Sequence, residues 1–453
     1  MTRCMFRFHK FQIMNAISAK YLFVPIVLVL TSFFYFPFVF TFFPAANTKM
    51  ILAACGLILL FFNLGKTRSA RIDKDFFFVS LFALGVSAAS FMTMVLNNTS
   101  DNSYLSYIVS MWVWVGAAYF LVNVIKAVHG KVTVELVCFY MIAVGALQCI
   151  LAFSMNLYAP LKNFVDSFLA GEGFMGKFEG RLYGIGCALD VAGGRMAVLL
   201  IMIACLLLQM TKKEKPLNYI IPLIVAYCII AVIGNMIGRT TTVGLILSLA
   251  YLVYALLTDK SVDKENKKKI VSLLCAFIAG SAVVLTVLYN VSEPWHKFLR
   301  FGFEGFFSLA EKGRWEVTSN EMLKEGLIFP DNMRTWLIGD GYMSGMANDP
   351  FYQGAIWYGF YMGTDAGYSR FLFYFGIIGL GAFMAFMAKV AAVCARRFPQ
   401  YKLMFLTIFL LNCAIWVKVS TDIFLAFAPF LCFGMDGDSG DSEEDGQYRE
   451  TKV

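Results

Sequence analysis

Charge is what this chain has least of. Only 15% of its 453 residues are Asp, Glu, Lys or Arg, whereas 59% are hydrophobic and 16% aromatic. Soluble globular chains are about a quarter charged. The mean hydropathy of +0.68 does not come from one oversized core, because the apolar residues fall in repeated runs long enough to cross a bilayer. Histidine is scarcer still. Only His9, His129 and His296 occur, scattered along the chain, which argues against a His-built metal centre. CxxC pairs are absent too. Cys55, Cys138, Cys149, Cys205, Cys228, Cys275, Cys413 and Cys432 all lie inside apolar runs, where cysteine behaves as a small buried hydrophobe. No disulfide framework, metal or cofactor is expected. The net charge of +8 does not imply a nucleic-acid partner, because the positive residues cluster in short loops between apolar runs.

The runs predict an all-α polytopic membrane protein with about twelve transmembrane helices. They cover 21–43, 49–64, 76–96, 105–125, 133–157, 188–210, 217–237, 240–257, 270–290, 366–393, 402–418 and 420–435. The second and last are short for a crossing and suit tilted or buried helices. The first is long for a signal-peptide core and reads as a membrane helix. Every even-numbered exit is basic: Lys66, Arg68, Arg71 and Lys74; Lys126 and Lys131; Lys212, Lys213 and Lys215; Lys260, Lys264 and Lys267–Lys269; Arg396, Arg397 and Lys402. The positive-inside rule makes these loops cytoplasmic and puts both termini inside.

Two outer loops exceed what a turn needs, about 158–187 and about 291–365. The larger one carries Phe301, Phe303, Phe306, Phe307, Leu309 and Trp315, enough to pack or to lie on a membrane surface, and 314–325 has helical character. The chain thus divides into helices one to nine (1–290), a large outer loop (291–365), helices ten to twelve (366–435) and an acidic tail (436–453). The tail's composition is that of a disordered segment.

The informative charges are those placed at the outer face. An arginine keeps its proton, and its planar fork matches phosphate oxygens in pairs. Arg181 in "EGRLYG", Arg239 in "IGRTTT" and Arg314 in "KGRWEV" therefore make a candidate clamp for a lipid phosphate or pyrophosphate. Such arginines can instead simply snorkel to the headgroups of membrane lipids. Arg195 and Asp190, both within the sixth run, are expected to pair with each other. Asp365, at the mouth of the tenth run, either caps that helix or serves as a base beside a bound sugar. Tyr342 and Tyr368 stand among loop aromatics suited to sugar faces or to the interfacial belt.

In order, "GRLYGIGCALDVAGG", "GRTTTVGLILSLAYL", "GRWEVTSNEM…WLIGDGYMSG" and "TDAGYSRFLFYFGIIGLG" resemble the conserved stretches of O-antigen polymerases and ligases, over roughly residues 170–390. The resemblance implies a GT-C-like, metal-independent, inverting glycosyltransferase of the bacterial inner membrane. Its substrates would be undecaprenyl-pyrophosphate-linked oligosaccharides at the periplasmic face, and a chain-length regulator is a candidate partner. It also implies that Arg181, Arg239 and Arg314 hold the donor pyrophosphate, with Asp365 where the ligase branch carries a histidine. Ala366 follows Asp365, and Gly376 and Gly379 match the family's glycines. The missing histidine favours a polymerase over a ligase. A polysaccharide flippase or transporter is the alternative of another class, against which stands a long loop on the outer side with no matching halves.

Overall fold

A computed structural model describes residues 22–67, 73–170, 181–258, 263–318, 321, 324, 326–344, 346–350, 352–357, 359–433 and 435. The chain is mostly helical. The first helix, α1 (Val24–Tyr35), is short. It leads past Pro37 into an antiparallel hairpin of β1 (Val39–Phe40) and β2 (Phe43–Asn47). There follow α2 (Thr48–Thr67), α3 (Lys74–Asn97), α4 (Tyr107–His129), α5 (Val134–Leu157) and a short α6 (Ala159–Phe168). Four more long helices are α7 (Leu189–Lys212), α8 (Leu217–Ile237), α9 (Thr241–Thr258) and α10 (Lys264–Val291). The large loop then folds into α11 (Glu293–Gly302), α12 (Glu304–Lys312) and α13 (Met333–Ile338), before α14 (Gly367–Arg397), α15 (Lys402–Ile415) and α16 (Ala428–Leu431). Among the described residues, nine helices are long and apolar enough to cross a membrane: α2–α5, α7–α10 and α14.

The expectation of about twelve spans is met only in part. The second run, short in sequence, forms the 20-residue α2. The last run is not one helix. It breaks into a turn at Phe424–Ala426 and the four residues of α16. Phe424, Phe427, Phe430 and Leu431 are fully buried there against other helices. A short apolar run has the same composition whether lipid or protein covers it, so periodicity alone does not separate the two cases. Of the helix expected over 314–325, residues 314–317 are non-helical, Thr318, Glu321 and Lys324 are helical, and the other five lie outside the described residues. The expected acidic tail, 436–453, also lies outside the described residues.

Polar contacts sort the connections into two ends. At one, Arg397 pairs with Asp73 and Arg396 with Asp75, while Lys213 Nζ meets Glu135 at 2.7 Å. These are the basic connections singled out in the sequence. At the other, the Thr41 amide donates to Phe168 O (3.0 Å), the Leu182 amide to Met236 O (3.1 Å) and the Tyr104 hydroxyl to Ser420 O (3.3 Å). The long loops gather at this second end.

The hub is α7, with 94% of its apolar window buried, whereas α10 has 6% buried and faces outward. Against lipid, burial of apolar surface gives helices no advantage, so close contact between small residues has to hold them. A Cβ on Gly244 would lie 2.2 Å from Ala197 Cα, and one on Gly193 would lie 2.8 Å from Gly238 O. The backbone of α7 thus meets α9 at Gly244 and the α8–α9 turn at Gly238.

Helix α14 is broken at Phe375 and Gly376, where Gly376 has φ 64°. The carbonyls just ahead of the break accept from the loop after α13. The Asp340 amide donates to Phe373 O (2.6 Å) and the Gly341 amide to Tyr374 O (3.0 Å). Such substitution is what lets a buried or membrane helix break without orphaned backbone groups. A Cβ on Gly376 would stand 2.3 Å from the Leu337 carbonyl, while one on Gly381, further along α14, would meet nothing. Gly376→Ala is therefore expected to lower stability by about 1–3 kcal/mol through left-handed strain and overpacking. Gly381→Ala should be neutral or slightly stabilising. Thermal unfolding of the two purified variants in detergent checks the contrast, and equal melting temperatures would refute it.

Candidate anion site

The loop before α7 is held rigidly enough to place a side chain. Gln148 on α5 donates to Ile185 O (3.0 Å) and accepts from the Ile185 amide (3.0 Å). Gly186 takes a left-handed φ of 63° and packs on the Phe36 carbonyl, where a Cβ would sit at 2.3 Å. Nearer Arg181, the Leu182 amide donates to Met236 O (3.1 Å), which sets Arg181 beside the end of α8. Its guanidinium lies 4.8 Å from the centre of the Phe301 ring. Arg239, on the turn between α8 and α9, lies 4.7 Å from the same ring. Two arginines from separate loops thus share one aromatic ring of α11, in cation–π contact. Burial holds the Arg181 pKa below the usual guanidinium value; Asp190 opposes this and the neighbouring Arg239 charge adds to it. Guanidinium titrates so high that it stays charged.

Carboxylates meet this cluster from two directions. Arg239 Nη1 pairs with Glu304, the first residue of α12. Asp190, in the first turn of α7, accepts from Lys418 Nζ (2.9 Å) and Thr240 Oγ1 (2.7 Å). Lys418 and Arg239 both line a cavity of about 180 Å³ with Thr240, Thr242 and Trp315. Arg239 is also a wall of a larger opening of about 570 Å³ with Arg300, Phe301, Glu304 and Ser308. Three cations (Arg181, Arg239 and Lys418) thus stand near two carboxylates, which suits the binding of an anion.

The other expected site residues fall differently. Arg314 is 74% exposed in its side chain and pairs with Glu316 at 2.5 Å, so it belongs to the rim. Asp365 is exposed and lines neither cavity. It does not cap α14, since the Ala366 amide donates to Thr364 Oγ1 (3.1 Å) instead. Tyr342 is buried and its hydroxyl donates to Asp349 (3.1 Å), while the Tyr368 hydroxyl donates to Cys413 O (3.0 Å). Both hydroxyls are engaged within the protein.

The expected Asp190–Arg195 pair does not form. Five residues on a helix of 3.6 per turn put the two side chains on different faces. Arg195 turns towards Phe36, 5.9 Å from its ring, and its Nε is buried without a hydrogen-bond partner. Sequence reading missed Phe301 and Glu304 as members of the site, although an acid flanked by aromatics in "RFGFEGFF" is unusual. It also missed Lys418, whose signal was a lone cation between two apolar runs.

No protein-family model matches this chain, and no curated protein matches it in sequence.

The Asp190–Lys418 pair is partly shielded, with side chains 25% and 22% exposed, so it should contribute more than a surface pair and less than a buried one. Lys418→Ala and Asp190→Ala are each expected to destabilise, with a coupling of about 1–2 kcal/mol in a double-mutant cycle. Additive unfolding free energies would show that the pair does not hold α15 to α7.

Proposed function

We propose that this protein is a glycosyltransferase that joins undecaprenyl-pyrophosphate-linked oligosaccharide repeats at the periplasmic face of the bacterial inner membrane. The observation that carries this reading is the meeting of Arg181 and Arg239 on the Phe301 ring. These are two of the arginines that the resemblance to O-antigen polymerases assigns to the donor pyrophosphate. A second feature supports a lipid-linked substrate. An open apolar groove of about 580 Å³ runs between α8 and α10, lined by Val232, Ile233, Phe277, Gly280 and Val284, and reaches Trp295 of α11. The helix that carries Phe301 thus begins where the groove ends, so hydrocarbon in the groove would bring a headgroup towards the arginines.

In this reading the acceptor sugar hydroxyl attacks the anomeric carbon of the donor repeat. The bond from that carbon to the pyrophosphate oxygen breaks, and the lipid pyrophosphate leaves with the electron pair. Arg181 and Arg239 neutralise the charge that develops on it. Asp365 receives the hydroxyl proton. It stands two residues ahead of Gly367, which packs on the Trp416 and Val419 backbone beside Lys418. Arg314, exposed and already paired, is assigned to approach of the ligand over the rim rather than to the reacting centre.

Purified protein in detergent, given lipid-linked repeats without a membrane gradient, is expected to lengthen them, which a transporter would not do. Arg239→Ala and Arg181→Ala should each lower the rate by about 10²–10³-fold, the scale for losing one charge-stabilising donor. Asp365→Asn should cost about 10²–10⁴-fold, and Arg314→Ala should have the smallest effect. Wild-type ladders from the first three variants would refute the assignment. Transfer of finished polymer to a lipid core, without lengthening of repeats, would point to a ligase.

A further inference from the structure

The segment from α11 to Thr318 carries its own counter-ions. Arg300 pairs with Glu311 (2.6 Å), Lys312 with Glu316 (2.6 Å) and Lys297 with Glu293 (3.0 Å). In each of them the cation is well exposed, and such pairs contribute little. Glu304 differs from these. Its partner Arg239 lies outside the segment, on the α8–α9 turn, and has a side chain only 14% exposed. One carboxylate oxygen of Glu304 takes the Arg239 guanidinium. The other takes the Thr318 amide (3.2 Å) and the Thr318 hydroxyl. A guanidinium, a backbone amide and a hydroxyl are the donors that a phosphate oxygen recruits.

We propose that Glu304 is a displaceable internal anion: it occupies the Arg239 position that an anionic ligand takes, and holds α12 closed over the cavity until that ligand arrives. This rests on the reading of Arg181 and Arg239 as a phosphate site. The backbone around Glu304 is built for such a movement. Phe303, between α11 and α12, leaves helical geometry at φ −121° and ψ 28°. On one side of this joint α11 is fixed: Gly302 lies against the Asn235–Met236 backbone, and Phe301 rests on both arginines. On the other side α12 is held by Trp315, which packs over Gly305, by Phe307 stacked on Tyr289 of α10 (5.3 Å), and by the exposed Arg300–Glu311 pair. Losing the Glu304–Arg239 pair therefore removes the partly shielded tie at the start of α12 and loosens its first turn and Thr318 about Phe303. The Phe307 stack and the Arg300–Glu311 pair hold the rest of the helix, and Phe301 stays against both arginines. The wall that moves is part of the 570 Å³ opening, so displacement and access are the same event.

The test uses the full chain in detergent and inorganic pyrophosphate as the probe, with binding measured by calorimetry and amide exchange followed over 304–318. Glu304→Gln keeps the shape and removes the charge. It is expected to bind pyrophosphate about tenfold more tightly than the wild type, equivalent to about 1.4 kcal/mol. Without ligand it should already show the faster exchange that the wild type shows only with pyrophosphate bound. Thr318→Val, which leaves Arg239 untouched, should move both readouts the same way by about 2–10-fold. Equal or weaker binding by Glu304→Gln, in protein that still binds pyrophosphate and melts normally, would overturn the proposal and make Glu304 a positioning residue for Arg239. Unchanged exchange in that variant would overturn it as well. Failure of both wild type and Glu304→Gln to bind pyrophosphate would instead remove the phosphate-site reading on which the proposal stands.

Discussion

The contact between the backbones of α7 and α9 governs the rest of this molecule. Gly193 and Ala197 on α7, Gly244 on α9 and Gly238 in the turn ahead of α9 have no side chain beyond a methyl at the contact, so α9 and this turn approach α7 more closely than larger residues would permit. That approach sets the short α8–α9 turn against the start of α7, where a Cβ on Gly238 would lie 2.4 Å from Leu189 O. Arg239 is the next residue, and Asp190 follows Leu189. The position of one cation and one anion of the site is therefore a consequence of helix packing, not of loop choice. Helix α7, buried on nearly all sides, is the part of the protein least able to yield.

Charge pairing then extends this fixed centre outward. Asp190 reaches Lys418 in the connection after α15 and Thr240 in the α8–α9 turn, so three segments distant in sequence meet at one carboxylate. Arg239 reaches Glu304 and, through its oxygens, Thr318. In water such contacts would be worth little, but near the membrane boundary partial burial raises their weight. The loops at this end are thus ordered by ion pairs around a packed hub, and the basic end by a separate set, Arg396 and Arg397 with Asp73 and Asp75.

Much of the helical layout was legible in the sequence, since an 18-residue apolar window between charged connections has few other solutions. What composition did not distinguish was the covering of each run. The run at 420–435 is as apolar as its neighbours, yet its phenylalanines pack inside the protein around Phe398 and Phe405. Of the site, Arg239 was legible because a short turn between two spans leaves few places for it. Its closeness to Arg181 was not, because the ring that gathers both belongs to a loop helix far along the chain, and spacing carries no information about such a meeting. The Asp190–Arg195 pairing failed for a simpler reason: a shared apolar run is not a shared helix face.

The break in α14 shows how the remaining loop is tied to this scheme. The carbonyls of Phe373 and Tyr374 are answered by the amides of Asp340 and Gly341, and the Tyr374 hydroxyl reaches Asp101 O at 3.0 Å and Ser90 at 2.8 Å. The loop after α3 is drawn in as well, since Asp101 accepts from the Met343 and Ser344 amides (2.7 and 3.1 Å). A straight helix would have satisfied its own carbonyls and given the loop after α13 nothing to bind. The break therefore does not weaken α14; it converts intrahelical hydrogen bonds into tertiary ones at the loop-rich end. The amides of Asp340 and Gly341 thus tie the loop after α13 to the first half of α14, whereas Glu304 ties α12 to the hub through Arg239, so the two parts of the large loop are anchored on different helices.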